Sequence, residues 1–543
     1  MASLVDDHQV LQVLVFLDPR SAIGVLQTSK TGNFARVASS KELWLAALGR
    51  VFGLAGKEAL RFPGSDEKDP LRAYQQWHAA ARDVGLQAAC SSPVSEPLPA
   101  RWVAAWSRLQ RWLSKEAPEI EETLRPPFQA EHADLTLEEV FPGRNIHPLV
   151  KGLWSIHDGQ VLLDTFEEHL DLKAYTAPDS RLRRPTQWDG LFGGYSVYEH
   201  HVSLMLLPLE AALSMTTLLR EKVFREEHAS KLAFAISLAP RARKFLFVDV
   251  ADGMVYCWPG DSLELLPMVP RPGVALSEGE ATEGLPVRLT GLSARPELNG
   301  CYGTLGSFDE GKGRWQVCMK NGSGTHLLKQ ENLRQDVSEI TGDGLLRWFE
   351  EYARRLEEGV YTRRAIVNES PTETIGICLF PACGAEVSRC VTRGVEVVAS
   401  CVYTPEASQQ GWAYSIALRL VGSAAERGYE TCQLTTRTWR IQASDDDEPD
   451  VVNGEGVIGL FPILADGGWI SNRLSDPHGQ YGEREGFQEG WFRYQSCSGR
   501  KRGMRGSFGG SLRFVPGDKK KPTGKAFDAT LEPFKLYIPE FVF

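Results

Sequence analysis

Three sets of residues have types and spacings suited to chemistry. The first, Gly454-x-Gly456-x-x-Gly459, matches the spacing of a dinucleotide-binding loop, where backbone amides opening a helix face a pyrophosphate. The residues that follow exclude that use. Val457-Ile458-Gly459-Leu460-Phe461 is a run of β-formers that meets Pro462, so a strand leaves the loop and not a helix. The stretch reads as a strand over 437–441, an acidic loop through Asp450 and a second strand over 457–461. Its glycines sit where the backbone bends or is closely approached. The second set is His157-Asp158, with the composition of an acid–base dyad, and His200-His201, with that of half a metal site. Neighbours at a helix end do not face one another, no GxSxG motif lies nearby, and Asp158-Gly159 reads as a helix stop. His200-His201 would need Glu199, directly adjacent, as its carboxylate. Both pairs are read as structural. The third set, Cys378, Cys383, Cys390 and Cys401, lacks the paired CxxC spacing of zinc sites and reads as buried strand thiols. No catalytic residue, metal or cofactor is expected.

The elements that must position these residues are spread over a long chain. At 543 residues it exceeds a single core, so several domains are expected. A hydrophobic fraction of 42% and a charged fraction of 24% are those of globular protein, and a net charge of -10 disfavours a general nucleic-acid binder. No signal peptide or apolar run of about 20 residues is present, so an intracellular, soluble protein with no membrane partner and reduced cysteines is expected.

The first 55 residues read as short helices. Asp6-Asp7 caps one that places Val10, Leu11, Leu14 and Val15 on one face; Asp18-Pro19 ends it and starts the next, and Ser40 caps a later one carrying Leu43 and Trp44. So few residues do not stabilise themselves well alone, and docking on a partner is the natural remedy. A Pro- and Ser-rich linker precedes a helix with Trp102, Ala105, Trp106, Leu109, Trp112 and Leu113 on one stripe, stopping before Pro118. The segment 244–250 with Asp252-Gly253 reads as a hairpin, and 271–283 as a polar linker. Short strands follow at 287–289, 301–308, 314–319 and 326–328, separated by Gly-containing turns. Leu345, Leu346, Trp348, Phe349, Tyr352 and Leu356 then mark an amphipathic helix. Trp412, Tyr414, Ile416, Leu418 and Leu420 alternate with Ala413, Ser415, Ala417 and Arg419, the period of a half-buried strand. The runs Arg500-Lys501-Arg502 and Lys519-Lys520-Lys521 read as solvated loop charge.

Several of these segments resemble known families. The C-terminal third resembles the ApaG domain, a fibronectin-like β-sandwich, through Val391-Thr392-Arg393-Gly394-Val395, Tyr403-Thr404-Pro405-Glu406, Trp412-Ala413-Tyr414, Arg437-Thr438-Trp439, the glycine run, Trp491-Phe492-Arg493-Tyr494 and Gly503-Met504-Arg505-Gly506 in that family's order. The opening helices resemble an F-box through Leu14, Phe16, Leu17, Pro19, Ile23, Leu26 and Trp44, although polar Asp7-His8-Gln9 replaces its usual Leu-Pro start. Leu149–Gln160, with Leu191-Phe192-Gly193-Gly194-Tyr195 and Leu206-Leu207-Pro208-Leu209, resembles the SUKH (Smi/Knr) superfamily. The short strands look like a small SH3- or KOW-like barrel.

The resemblance implies a multidomain α+β chain: a helical F-box at 5–55, an α+β SUKH domain at 98–270 closed by a helix at 342–359, an inserted barrel at 284–335, and an ApaG sandwich at 371–543. F-box, SUKH and ApaG in this order is the architecture of the F-box only protein 3-like family. It implies a non-catalytic substrate receptor of a Skp-cullin-F-box ubiquitin ligase in the cytoplasm, the nucleus or both. The seven F-box residues named above would hold a Skp-type adaptor, and through it a cullin. Arg437, Trp439, Gly454, Gly456 and Gly459 are the candidate contacts to a ligand or protein substrate, because loops on a rigid scaffold carry binding. Two alternatives stay open: a scaffold or ligand sensor without a ligase, and an enzyme acting on phosphoanhydrides.

Overall fold

The computed structural model describes residues 45, 69–70, 72–73 and most of 98–543, with its longest breaks at 129–136, 164–180, 474–483 and 498–505. Leu14, Phe16, Leu17, Pro19, Ile23, Leu26 and Trp44 lie outside the described residues, as do 443–447 and the Arg500-Lys501-Arg502 run. Leu45 is helical and half-buried against the main core.

The described chain is mostly β-sheet in several units, with few helices. Helix Leu98–Glu116 forms because its apolar residues recur at helical spacing. Trp102, Ala105, Trp106, Leu109 and Leu113 are all buried. Helix Gly344–Glu357 lies against it and buries Leu345, Leu346, Trp348, Phe349, Tyr352 and Leu356. The Phe349 ring sits 4.9 Å from both Trp102 and Trp106, and Arg101 Nη2 pairs with Glu350 Oε2 at 2.6 Å on the rim.

Two sheets accompany these helices. One orders Met205–Leu206, Lys231–Leu238, Arg243–Asp249, Val255–Cys257 and Leu266–Pro267. The other joins early and late segments: Gly194–Val197 pairs antiparallel with His200–Ser203 and parallel with Ile375–Cys378, which continues to Thr362–Ala365. Gln160, fully buried, ties the unit together. Its Nε2 donates to Thr123 Oγ1 (2.7 Å) and Asp189 O (2.8 Å), and its Oε1 accepts from Leu191 N (2.9 Å) and Leu206 N (3.2 Å). All of that amide's polar capacity is thus used inside the fold.

The C-terminal unit is a sandwich. One sheet orders Ser388–Thr392, Val395–Tyr403, Trp412–Leu420 and Phe492–Cys497; the facing sheet is built on Cys432–Gln442, Gly506–Pro516 and Phe527–Leu536. Tyr414 and Phe508 meet between them at 4.6 Å, and Phe508 meets Phe534 at 5.1 Å. This core is continuous with that of the preceding unit. A six-stranded sheet over 273–336 has a separate core of Val287, Leu289, Leu298, Leu305, Val317, Met319, Leu328 and Leu333.

The structure corrects several expectations. The strand after the acidic loop is Asp450–Glu455, paired with 436–441, and 457–459 form a turn before Leu460–Ala465. Asp450, Asn453 and Glu455 hid this strand, whose side chains are mostly exposed and give no burial period. The supposed linker holds strand Gly273–Ala275, an edge partner of Leu333–Asp336 that no apolar alternation announces. Helix Pro148–Gly152 ends well before Asp158-Gly159, so that step is no helix stop. Trp412–Leu420 is buried on both faces, and Pro381 and Ala382 stand beside Ser415 and Ala417 on its outer one. Cys378 is buried in a strand, but Cys383 is exposed in a turn.

Candidate functional site

The glycine run folds as a turn in which the amides of Gly456, Val457 and Leu460 are used internally. Gly456 N donates to Thr435 O (2.9 Å), Val457 N to Leu460 O (2.9 Å) and Leu460 N to Val457 O (2.7 Å). Gly456 has φ +53°, and a Cβ there would stand 2.4 Å from Leu460 O; Gly459, at φ +79°, opens on free space. Arg437 lies across Gly454, where a Cβ would stand 2.7 Å from Nη1, and that nitrogen donates to the carbonyls of Glu455 (3.0 Å) and Gly456 (2.8 Å). Arg437, Gly454 and Gly456 are therefore brought together as a clamp on the turn. Trp439 is not brought with them: it is 4% exposed, with its ring 5.3 Å from Phe508 in the core. Near the clamp in sequence, Val451, Val452, Ile458 and Ile470 are each exposed; Val451 and Val452, successive in one strand, face opposite sides.

Neither histidine pair forms a dyad with its neighbour. His157 Nδ1 lies 3.1 Å from Arg125 O, while Asp158 Oδ1 accepts from Leu209 N (2.9 Å) at the start of helix Leu209–Lys222, and Oδ2 pairs with Arg125 (3.3 Å). Burial pushes the His157 imidazole down to about 4, and pushes the Asp158 carboxyl up to about 6. His200 is engaged elsewhere, and sequence reasoning missed its partner.

That partner is Glu406, whose carboxylate is completely buried between the two large units. Oε1 accepts from His200 Nε2 (2.9 Å) and from the Tyr195 hydroxyl, while Oε2 faces the buried Lys244 ammonium at 3.7 Å. Lys244 also donates to Phe543 O (2.6 Å). Burial alone would raise the Glu406 carboxyl, but Lys244, His200 and Tyr195 together outweigh it and hold it at about 2. Oε1 and the Lys244 ammonium thus carry further hydrogen bonds, while Oε2 is buried with no hydrogen-bond partner among the described residues and relies on the Lys244 charge. Phe541–Phe543 completes the junction. Val542 N donates to Met268 O (3.0 Å), Trp348 Nε1 to Val542 O (2.9 Å), and the Phe543 ring lies 5.4 to 5.7 Å from Trp348, Tyr352 and Tyr361. One signal was available in advance. The period of strand Arg243–Asp249 places Lys244 on the side of Leu246 and Val248, both fully buried, and a lysine in such a row needs an acidic partner.

The ApaG domain family matches residues 402–469, a span that holds both Glu406 and the glycine turn. Protein ApaG of Anaeromyxobacter dehalogenans (strain 2CP-C) is 32% identical over 154 residues, which cover 28% of this chain and 97% of that protein. The chain belongs to the ApaG family. Protein ApaG of Bradyrhizobium sp. (strain ORS 278) is 31% identical over 116 residues, 20% of this chain and 82% of that one. At greater length, F-box protein SKIP16 of Arabidopsis thaliana is 27% identical over 490 residues, 87% of this chain and 84% of that protein. Together these similarities support an F-box and ApaG architecture. In the ApaG domain, Glu406 is the residue that reaches out of the sandwich to Tyr195, His200 and Lys244.

Proposed function

We propose that this protein is the substrate-recognition subunit of a Skp-cullin-F-box ubiquitin ligase, acting in the cytoplasm, the nucleus or both. The observation that carries the reading is the 490-residue similarity to a protein named as an F-box protein. An F-box at 5–55 docks the adaptor, and through it the cullin, with Leu14, Phe16, Leu17, Pro19, Ile23, Leu26 and Trp44. A SUKH domain at 98–270 with its closing helix at 342–359, and the ApaG domain at 371–543, hold the client; an SH3/KOW-like barrel at 284–335 is inserted between them. The exposed apolar side chains Val451, Val452, Ile458 and Ile470 are the first positions to test for client contact. Such a subunit is not an enzyme: it raises the effective concentration of a client lysine near the charged ubiquitin carrier. A firm junction at Glu406 suits that role, since a fixed distance between adaptor and client sets which lysines are reached.

Co-purification of the full chain with a Skp-type adaptor and a cullin tests this. Leu17→Asp with Trp44→Ala is expected to abolish capture without altering the melting of the rest of the chain. A folded wild-type protein that captures no adaptor would overturn the reading and favour a scaffold or sensor.

A further inference from the structure

We propose that the outer face of the ApaG sheet Ser388–Thr392, Val395–Tyr403, Trp412–Leu420 and Phe492–Cys497 carries a pocket for one phosphate monoester group, presented on a client side chain. The proposal rests on the receptor reading for the source of that group. Strand register builds the pocket. Arg389 pairs with Val398, Val398 with Ala417, and Ala417 with Arg493, so one row across the sheet has an arginine at each end and small residues between. The next row on the same face sets Ser400 against Ser415. These short side chains form the floor, Arg364 and Pro381 come over from the neighbouring unit as a wall, and the cavity measures about 170 Å³.

Among the described residues the lining holds three arginines and no carboxylate. Arg364 is anchored by Nη2 on Phe380 O (2.6 Å), and Arg389 by Nε on Glu396 Oε1 (3.2 Å), a carboxylate that also accepts from Arg419 Nε (2.6 Å). Five N–H groups per guanidinium leave donors to spare on the first two after these bonds. The Arg493 guanidinium lies 5.3 Å from the Trp491 ring, and that of Arg419 4.2 Å from it. Held forks of this kind recognise oxyanions with little further loss of freedom. Arginines on several sides suit the three outer oxygens of a phosphate monoester better than the two of a carboxylate. At about 170 Å³ the cavity is smaller than the roughly 300–1,000 Å³ that encloses a drug-sized ligand, so it takes in one phosphate group and leaves the carrier outside. The receptor reading supplies a phosphorylated client side chain as that carrier.

The test uses the full chain, with fluorescent peptide pools carrying phosphoserine, phosphothreonine or phosphotyrosine at a fixed central position, the same pools unphosphorylated, and inorganic phosphate as competitor. Phosphorylated pools are expected to bind at least tenfold tighter. Arg389→Ala, at an exposed position that leaves Arg419 on Glu396, and Arg493→Ala are each expected to remove about tenfold, with unchanged thermal melting. Equal binding of both kinds of pool, binding unaffected by either variant, or binding of inorganic phosphate without preference for phosphorylated peptide would overturn the proposal. Adaptor capture measured on the same samples separates the two readings: its loss in wild type sinks the receptor and leaves the pocket result standing.

Discussion

His200 Nε2 lies 2.9 Å from Glu406 Oε1 across 206 residues of sequence, and this contact makes one body of two units that the sequence presents as separate modules. Removing the carboxylate leaves Lys244 buried without its counter-charge. Glu406→Ala is therefore expected to cost about 3–5 kcal/mol, the range for breaking a buried pair on one side, as measured by urea unfolding. An effect below roughly 1 kcal/mol, the scale of exposed pairs, would show that the junction is wet and loosely held.

The same carboxylate predicts an acid limit. Its folded value of about 2 lies below the ordinary 4.5, so its contribution is present above pH 4.5 and is lost as pH falls toward 2. At about 1.4 kcal/mol per unit the full swing is roughly 3 kcal/mol. Urea midpoints followed from pH 6 down to 3 should fall steeply in the wild type and more gently in Glu406→Gln.

Phe543 is 4% exposed and faces Trp348, Tyr352 and Tyr361. Phe543→Ala is expected to destabilise by about 3–5 kcal/mol and to uncover the aromatic face of Gly344–Glu357. Hydrogen exchange in that helix reads this directly, and unchanged protection there would mean that 541–543 merely rest on its surface.

The glycine turn separates space from backbone strain. Gly459→Ala meets no neighbour, so only the left-handed conformation is charged, about 1–2 kcal/mol. Gly456→Ala adds a Cβ 2.4 Å from Leu460 O and is expected to cost clearly more and to loosen strand Asp450–Glu455. Equal losses in the two variants, by thermal melting, would contradict the close approach.

The sheet over 273–336 owns its core. Leu305→Ala, with Leu305 only 2% exposed, should lower protection in that sheet by the equivalent of about 2–5 kcal/mol and leave exchange at Trp102 and Trp412 unchanged. A matching loss at those tryptophans would show a single cooperative unit.

Periodic elements were legible in the sequence. The stripes of Leu98–Glu116 and Gly344–Glu357 and the alternation of Trp412–Leu420 follow from apolar spacing alone. Strands Asp450–Glu455 and Gly273–Ala275 were not legible, since an edge strand with exposed side chains leaves no such trace. The outer row of Ala413, Ser415 and Ala417 suggested solvent because small polar residues suit it equally well, yet another unit covers that face. Glu406 was visible only as a motif residue: its meaning depends on Tyr195, His200 and Lys244, all far away in sequence. Trp439 was read as a candidate ligand contact and packs in the core, because an indole serves both places.

The bedding of Phe541–Phe543 against Gly344–Glu357 has a temporal side. During synthesis the ribosome delivers the aromatic face of that helix nearly two hundred residues before the segment that covers it. Until 541–543 are made, Trp348 Nε1 lacks its acceptor on Val542 and the Lys244 ammonium its acceptor on Phe543, and apolar surface left open in this way during folding is prone to wrong association.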